Sequence, residues 1–308
     1  MLHAYPNATS AADVHSHGSS TTTGWVQALS LDDLHADYEV QVDPNPGELA
    51  ISDDGKRLVV THFDLATANA PGKTLEERRS TLATIDPSTV LPFGTPTPDK
   101  LLVCVAPHGL ALSRPDAKKA FVACYGEDAI GIVDLEDVTT PVVRVPLGPA
   151  ARTEGAPAYG PYGVALSPNG ARLAIGAKSS NEIRFLDVAT SAMETLAVPL
   201  GGETYVPAWS SDGTRLFVPT RNIDALVAID TTTGAVVKQR LFDAETCAAP
   251  IEAITSSDST LVYVVCEGTA AKEGRVVALD AASLEVRAST AVGPFPGRPW
   301  VGRIGATP

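Results

Sequence analysis

Residues 161–190, PYGVALSPNGARLAIGAKSSNEIRFLDVAT, decide the fold. PYGVALS is a short apolar run. Ser167-Pro168-Asn169-Gly170 is turn chemistry, in which Asn-Gly supplies the positive φ of a tight hairpin. RLAIGA reads as the next strand, Ser179-Ser180-Asn181 as a polar loop, and EIRFLDV as a third strand of alternating character. A unit this short cannot bury its own faces, so it must stack against further copies in an array or ring.

The copies are present. They are GELAISDDGKRLVVTHFD from Gly47, PHGLALSRPDAKKAFVACYG from Pro107, TYVPAWSSDGTRLFVPTRN from Thr204 and PIEAITSSDSTLVYVVCEG from Pro250. Third strands follow as STLATIDPST, AIGIVDLED, ALVAIDTTTG and RVVALDAAS. The Asp closing each of them (Asp86, Asp134, Asp187, Asp230, Asp280) starts a turn into a fourth strand; an Asx-turn explains it more simply than catalysis does. Four antiparallel strands per unit make a β-propeller blade, and the chain reads as all-β. Helical periodicity is nearly absent, with Thr74 to Arg79 the one stretch that suits a helical turn.

The ends suggest how the ring closes. WVQALSLDDLHADYEVQV, from Trp25, reads as a third and fourth strand, MLHAY as the end of a second, and GRPWVGRIG, from Gly297, as a first strand. We expect one domain over residues 1–308, with blades starting near 47, 107, 161, 204, 250 and 298 and residues 1–45 completing a composite blade. Such a clasp removes open sheet edges. That gives six blades; a chain cut from a longer protein would have seven or carry further domains.

The chain has 308 residues and a net charge of −13. No apolar run approaches the ~20 residues of a membrane span. The acidic balance argues against nucleic acid and anionic membrane surfaces, so neither nucleic-acid binding nor membrane insertion is expected. A monomer, or one part of a larger chain, is the expected state. The segment MLHAYPNATSAADVHSHG has no basic n-region and no apolar h-region, so no secretory signal is visible.

PYGVALSPNGARLAIGAKSSNEIRFLDVAT and PHGLALSRPDAKKAFVACYGEDAIGIVDLED resemble the YVTN-type β-propeller repeat, P-x-G-hydrophobic-A-hydrophobic-S-P-D-G, a strand, then N-x-hydrophobic-x-V-I-D. The likeness runs from Gly47 to Ser283. It is specific for fold and poorly specific for function. Relatives of that type include surface and periplasmic binding proteins and lactonase-like propellers of the YncE-like kind, together with propellers of haem-linked nitrite reductases. No Cys-x-x-Cys-His motif is present, and no cofactor is expected.

The four cysteines form two matching pairs. Cys104 and Cys247 each lie three residues before the proline that opens a repeat, and Cys124 and Cys266 each end a second strand. In a blade, the start of the first strand and the end of the second are neighbours at one edge. Cys104–Cys124 and Cys247–Cys266 are therefore expected to bridge. Buried free thiols and a four-cysteine metal site are the alternatives, the latter disfavoured because the pairs sit in blades well apart. Disulfides imply an oxidising compartment, hence a periplasmic, cell-surface or secreted protein. A truncated or misplaced start reconciles this with the missing signal.

Propeller sites gather where first strands begin and second strands end. The repeats place Tyr162, Tyr205 and Trp300 just inside the first strands, with Glu48 and Glu252 one step on. Lys178 and Arg221 follow the second strands. This rim suits a small polar or anionic ligand, or an unidentified protein partner, with Lys178 and Arg221 as the cationic side. The long loops 6–24, 66–80, 148–160 and 268–274 lead to the same face. A non-catalytic scaffold is the first reading. The alternative is a lactonase-like hydrolase in which His62 or His108, paired with Glu48, activates water and Lys178 or Arg221 steadies an oxyanion. Asp13, His15 and His17, with His3, form a weak candidate metal site, against which stands a plain solvated loop. No Gly-x-Ser-x-Gly elbow or phosphate loop occurs.

Overall fold

A computed structural model describes residues 2–5, 23–30, 32–33, 35–87, 98–149, 157–269 and 272–293. Their strands form one three-stranded and five four-stranded antiparallel sheets, a six-bladed β-propeller. Blade 1 holds β1 (Leu2–Tyr5), β2 (Gly24–Leu29) and β3 (Ala36–Val42). The strand expected from Gly297 to complete it lies outside the described residues, as does Trp300. Blade 2 holds β4 (Pro46–Ile51), β5 (Leu58–His62), β6 (Arg79–Ile85) and β7 (Asp99–Val105). Blade 3 holds β8 (Pro107–Leu112), β9 (Lys119–Cys124), β10 (Ala129–Asp134) and β11 (Val143–Pro146). Blade 4 holds β12 (Pro161–Leu166), β13 (Arg172–Ala177), β14 (Glu182–Asp187) and β15 (Ala192–Pro199). Blade 5 holds β16 (Ala208–Trp209), β17 (Arg215–Thr220), β18 (Ala225–Asp230) and β19 (Val236–Leu241). Blade 6 holds β20 (Pro250–Thr255), β21 (Leu261–Cys266), β22 (Gly274–Asp280) and β23 (Val286–Val292). Helix is confined to short turns: α1 (Leu65–Ala68), capped by Asp64, and single 3-10 turns such as Glu76–Arg78.

The turns follow from side-chain chemistry. Ser167 Oγ donates to Asn169 Oδ1 (2.7 Å) while the Arg172 N–H returns to Ser167 Oγ (2.9 Å), and Gly170 takes φ +72°. Ser52 with Asp54, Ser210 with Asp212, and Ser256 with Asp258 repeat the arrangement. The strand-closing aspartates make Asx-turns: Asp187 accepts the Thr190 N–H (2.7 Å), Asp230 that of Thr233 (2.8 Å), and Asp280 that of Ser283 (2.8 Å).

The core lies between blades. One apolar layer joins Leu110 and Val122 of blade 3 to Val59 and Leu82 of blade 2, and another joins Phe185 of blade 4 to Leu216 and Val227 of blade 5. Burying such side chains yields about 2 kcal/mol each. The glycine of the P-x-G signature sets the inner spacing. A Cβ on Gly109 would stand 2.5 Å from Tyr162 O, and one on Gly163 would stand 2.6 Å from Val206 Cα. Neighbouring inner strands approach only because those side chains are absent.

The fifth copy departs from expectation. Its first strand, read from Thr204, is only two residues long. Pro207 has no N–H for the ladder. Val206 turns instead to blade 6, where its N–H donates to Ile251 O (3.0 Å) and its carbonyl accepts the Ala253 N–H (3.1 Å).

Both expected disulfides form, with Cα–Cα distances of 5.7 Å for Cys104–Cys124 and 5.3 Å for Cys247–Cys266. No cysteine is free. Their placement differs from the expected single-blade edge. Cys104 lies on β7 of blade 2, and Cys247 lies in the connection leaving β19 of blade 5. Each bond therefore ties a second strand to chain arriving from the preceding blade. At the first bond the reason is that Ala106 alone, at φ +51°, divides β7 from β8; at the second, Cys247 sits near the end of the connection that joins β19 to β20.

Candidate functional site

Inner strands β4, β8, β12 and β20 each carry a bulge at their opening residues, between Pro46 and Leu49, Pro107 and Leu110, Pro161 and Gly163, and Pro250 and Glu252. A bulge breaks the in–out alternation and re-aims the residue after the proline. His108 and Tyr162 occupy that position. They meet Phe63, Tyr125 and Lys178, which follow second strands as Arg221 and Glu267 do.

The outcome is an aromatic cluster across blades 2 to 5. The His108 and Tyr162 rings stack with centroids 3.7 Å apart and planes 28° from parallel. Phe63 meets His108 edge-on at 4.9 Å, and Tyr162 meets Tyr205 at 4.8 Å. Burial holds the phenol pKa values of Tyr162 and Tyr205 above their ordinary value, aided for Tyr162 by the neighbouring Tyr205 and by Glu267 and Glu48. Both rings therefore stay neutral hydrogen-bond donors through the physiological range.

Lys178 projects over this cluster, its Nζ 5.5 Å from the Tyr162 centroid and 5.2 Å from that of Tyr205. Each contact of this kind is worth about 1 kcal/mol. The ammonium forms no ion pair among the described residues. Burial lowers its pKa, partly offset by the field of Glu203, with Arg221 lowering it further. Arg221 is different: its Nε and Nη2 both lie 2.9 Å from Glu267 Oε2. Of the two residues expected to form the cationic side of the rim, Arg221 is thus engaged by Glu267.

The remaining candidates divide. Glu252 is 4% exposed on β20, opposite Val206 of blade 5. Glu48 is also buried, its N–H bonded to Thr61 Oγ1 (3.0 Å), and the same hydroxyl donates to His108 O (2.6 Å). His108 thus belongs to the rim. For His62, Nδ1 lies 3.0 Å from Thr81 O, and the charges acting on the ring include those of Asp43, Lys100 and Asp64. Asp13, His15 and His17 lie outside the described residues. Among the described residues, no group of three or more His, Cys, Asp or Glu side chains is placed to hold a metal.

Sequence reading missed Phe63 and Tyr125. The signal was present, since they occupy the same repeat position as Lys178, Arg221 and Glu267, one step past His62 and Cys124. The Arg221–Glu267 pairing spans 46 residues and leaves no local trace.

Fold and rim together define a six-bladed β-propeller with an aromatic, cation-bearing mouth. Solved structures agree on the fold. Over 90% of this chain and 81% of the other, it is similar to a candidate 6-phosphogluconolactonase from Bacteroides uniformis, at 14% identity and a TM-score of 0.62. It is similar to the Cps50 (Swd1) β-propeller domain of Myceliophteria thermophila at 12% identity and a TM-score of 0.64, over 87% and 80% of the two chains. Likeness to Kuenenia stuttgartiensis hydrazine synthase has a TM-score of 0.58 at 16% identity and covers 77% of this chain, which spans 63% of that one. Identities this low establish the fold alone. No family model and no curated protein matches the chain.

Proposed function

We propose that the chain is a binding propeller of the YVTN type, working in an oxidising compartment, that holds a small anionic ligand at the rim. The observation that carries this reading is Lys178. A half-buried ammonium without a carboxylate partner among the described residues is costly, and it is kept above two neutral tyrosines at the rim. A carboxylate or phosphate group placed there would gain the charge of Lys178 and the hydroxyls of Tyr162 and Tyr205. The two closed disulfides favour the periplasm, the cell surface or the exterior.

Calorimetric titration with gluconate, 6-phosphogluconate and inorganic phosphate tests the reading. Saturable binding that Lys178→Met weakens about tenfold is expected, the size of one lost charge-assisted contact. Affinity should fade as pH rises through the lowered lysine pKa, because only the protonated amine attracts the anion. Binding that Lys178→Met leaves unchanged would move the site elsewhere. The hydrolase reading, which the lactonase-like neighbour favours, is separated by a pH-stat assay on sugar lactones. Turnover lost in His108→Ala would replace the binding reading with catalysis at the same rim.

A further inference from the structure

A second unpaired charge stands at the rim, and it is negative. Glu203 lies on the connection from β15 to β16. Its backbone is fixed on both sides: the N–H donates to Asn222 Oδ1 (2.7 Å), and the carbonyl accepts the Arg221 N–H (2.9 Å). The next residue, Thr204, bridges Thr220 of β17 in antiparallel fashion. Side chains alternate along extended backbone, so Glu203 and Tyr205 project to the same side. Lys178 Nζ stands 5.2 Å from the Tyr205 centroid. Glu203 and Lys178 are therefore neighbours of the same tyrosine.

The two charges feel each other without meeting. Among the charged groups acting on the Lys178 ammonium, Glu203 has the strongest field. Yet neither the Glu203 carboxylate nor the ammonium has a hydrogen-bond or ion-pair partner among the described residues, and neither is sealed from solvent. Both side chains are only partly exposed. The other acid of this corner, Glu267, is already spent on Arg221. What remains unspent is one cation and one anion, held apart on either side of an aromatic surface.

We propose that the rim ligand is an α-amino acid, its carboxylate meeting Lys178 and its ammonium meeting Glu203. This assignment deepens the anion-binding reading and rests on it. A ligand bearing both charges matches the half-buried ammonium and the half-buried carboxylate at once. A plain anion leaves Glu203 unmatched and is repelled by it. Glu203 thus selects against simple acids, while Lys178 supplies the attraction that both kinds of ligand share.

Calorimetric titration of the whole protein with L-glutamate and with glutarate, the same diacid without its amino group, provides the test. Glutarate carries the larger negative charge, so a rim that reads charge alone favours glutarate. An amino-acid site gives the reverse: L-glutamate should bind about tenfold tighter, the size of one charge-assisted contact. Glu203→Gln should remove that preference by weakening L-glutamate, with glutarate bound at least as tightly as before. Lys178→Met should weaken both ligands about tenfold. Glutarate binding as tightly as L-glutamate to the native protein would overturn the assignment, and so would a glutamate preference that survives Glu203→Gln. If 6-phosphogluconate binds through Lys178 and L-glutamate does not bind, only the amino-acid assignment falls; if neither binds, the anion-binding reading falls with it. Because the two diacids are compared on the native protein, the test stands even if a variant fails to fold.

Discussion

The junction between blades 2 and 3 and the junction between blades 5 and 6 are built on one plan and finished differently. In both, a cystine ties the end of a second strand to chain arriving from the preceding blade, and a glutamate just past that cysteine reaches an arginine of that blade. At the first junction Glu127 is held by Arg79 (3.1 Å), Arg144 (3.2 Å) and the Val105 N–H (3.1 Å), and its side chain is 7% exposed. At the second, Glu267 (10% exposed) takes Arg221 alone among the described residues, and that arginine's side chain is 35% exposed, against 20% and 24% for Arg79 and Arg144. The same staple therefore closes one corner structurally and leaves the other charged and accessible. The difference lies in how many partners share the carboxylate.

Removing the cystines should break the comparison most visibly. The bonds span 20 and 19 residues, so loop closure alone predicts equal losses of about 3 kcal/mol. Local support is unequal. Cys104 also sits in the ladder of β7, opposite Ser80, whereas Cys247 lies outside any strand. The Cys247→Ser/Cys266→Ser pair should therefore lower the melting temperature more than the Cys104→Ser/Cys124→Ser pair. Equal melting temperatures would show that ladder and ion pairs add nothing at the first junction.

A smaller effect is expected from the carboxylates. Glu127→Gln leaves two partly buried guanidinium groups without their counter-charge and should cost about 2 kcal/mol in urea unfolding. Glu267→Gln disturbs an arginine that solvent already reaches and should cost about 1 kcal/mol or less. Matching losses at the two positions would remove the distinction between a closed corner and an open one.

These contrasts were unevenly legible in the sequence. Every copy carries its own turn chemistry and its own P-x-G opening, so the blades, their order and the rim positions of Tyr162, Lys178 and Arg221 follow from alignment of the repeats. The fourth strands were harder. They face outward, as in β19, where Val236, Val237 and Leu241 are exposed, so they lack the apolar alternation that marks an inner strand. That is why Cys104 was placed at the edge of blade 3 when it belongs to blade 2. Partnerships between blades were not legible at all. Nothing local ties Glu127 to Arg79 or His62 to Asp43, and the state of each charge depends on which side chains the packing brings together.

The smallest expected effect bears most directly on function. Glu267 both occupies Arg221 and sets a negative charge near Lys178, and both weaken the rim for an anion. Replacing it with glutamine removes the charge and frees the guanidinium while keeping the side chain's shape. If the rim binds anions as proposed, Glu267→Gln should tighten 6-phosphogluconate about threefold, within the range of a partly screened contact. Glu127→Gln should leave that affinity unchanged, because its carboxylate is shared among blade-to-blade contacts and Lys178 takes its charged neighbours from Glu203, Arg221 and Glu267. Tightening in both variants would mean that only net charge matters and that the rim has no localised site. Tightening in the Glu267 variant alone would place the anion between Lys178 and Arg221, at the corner that the second cystine leaves open.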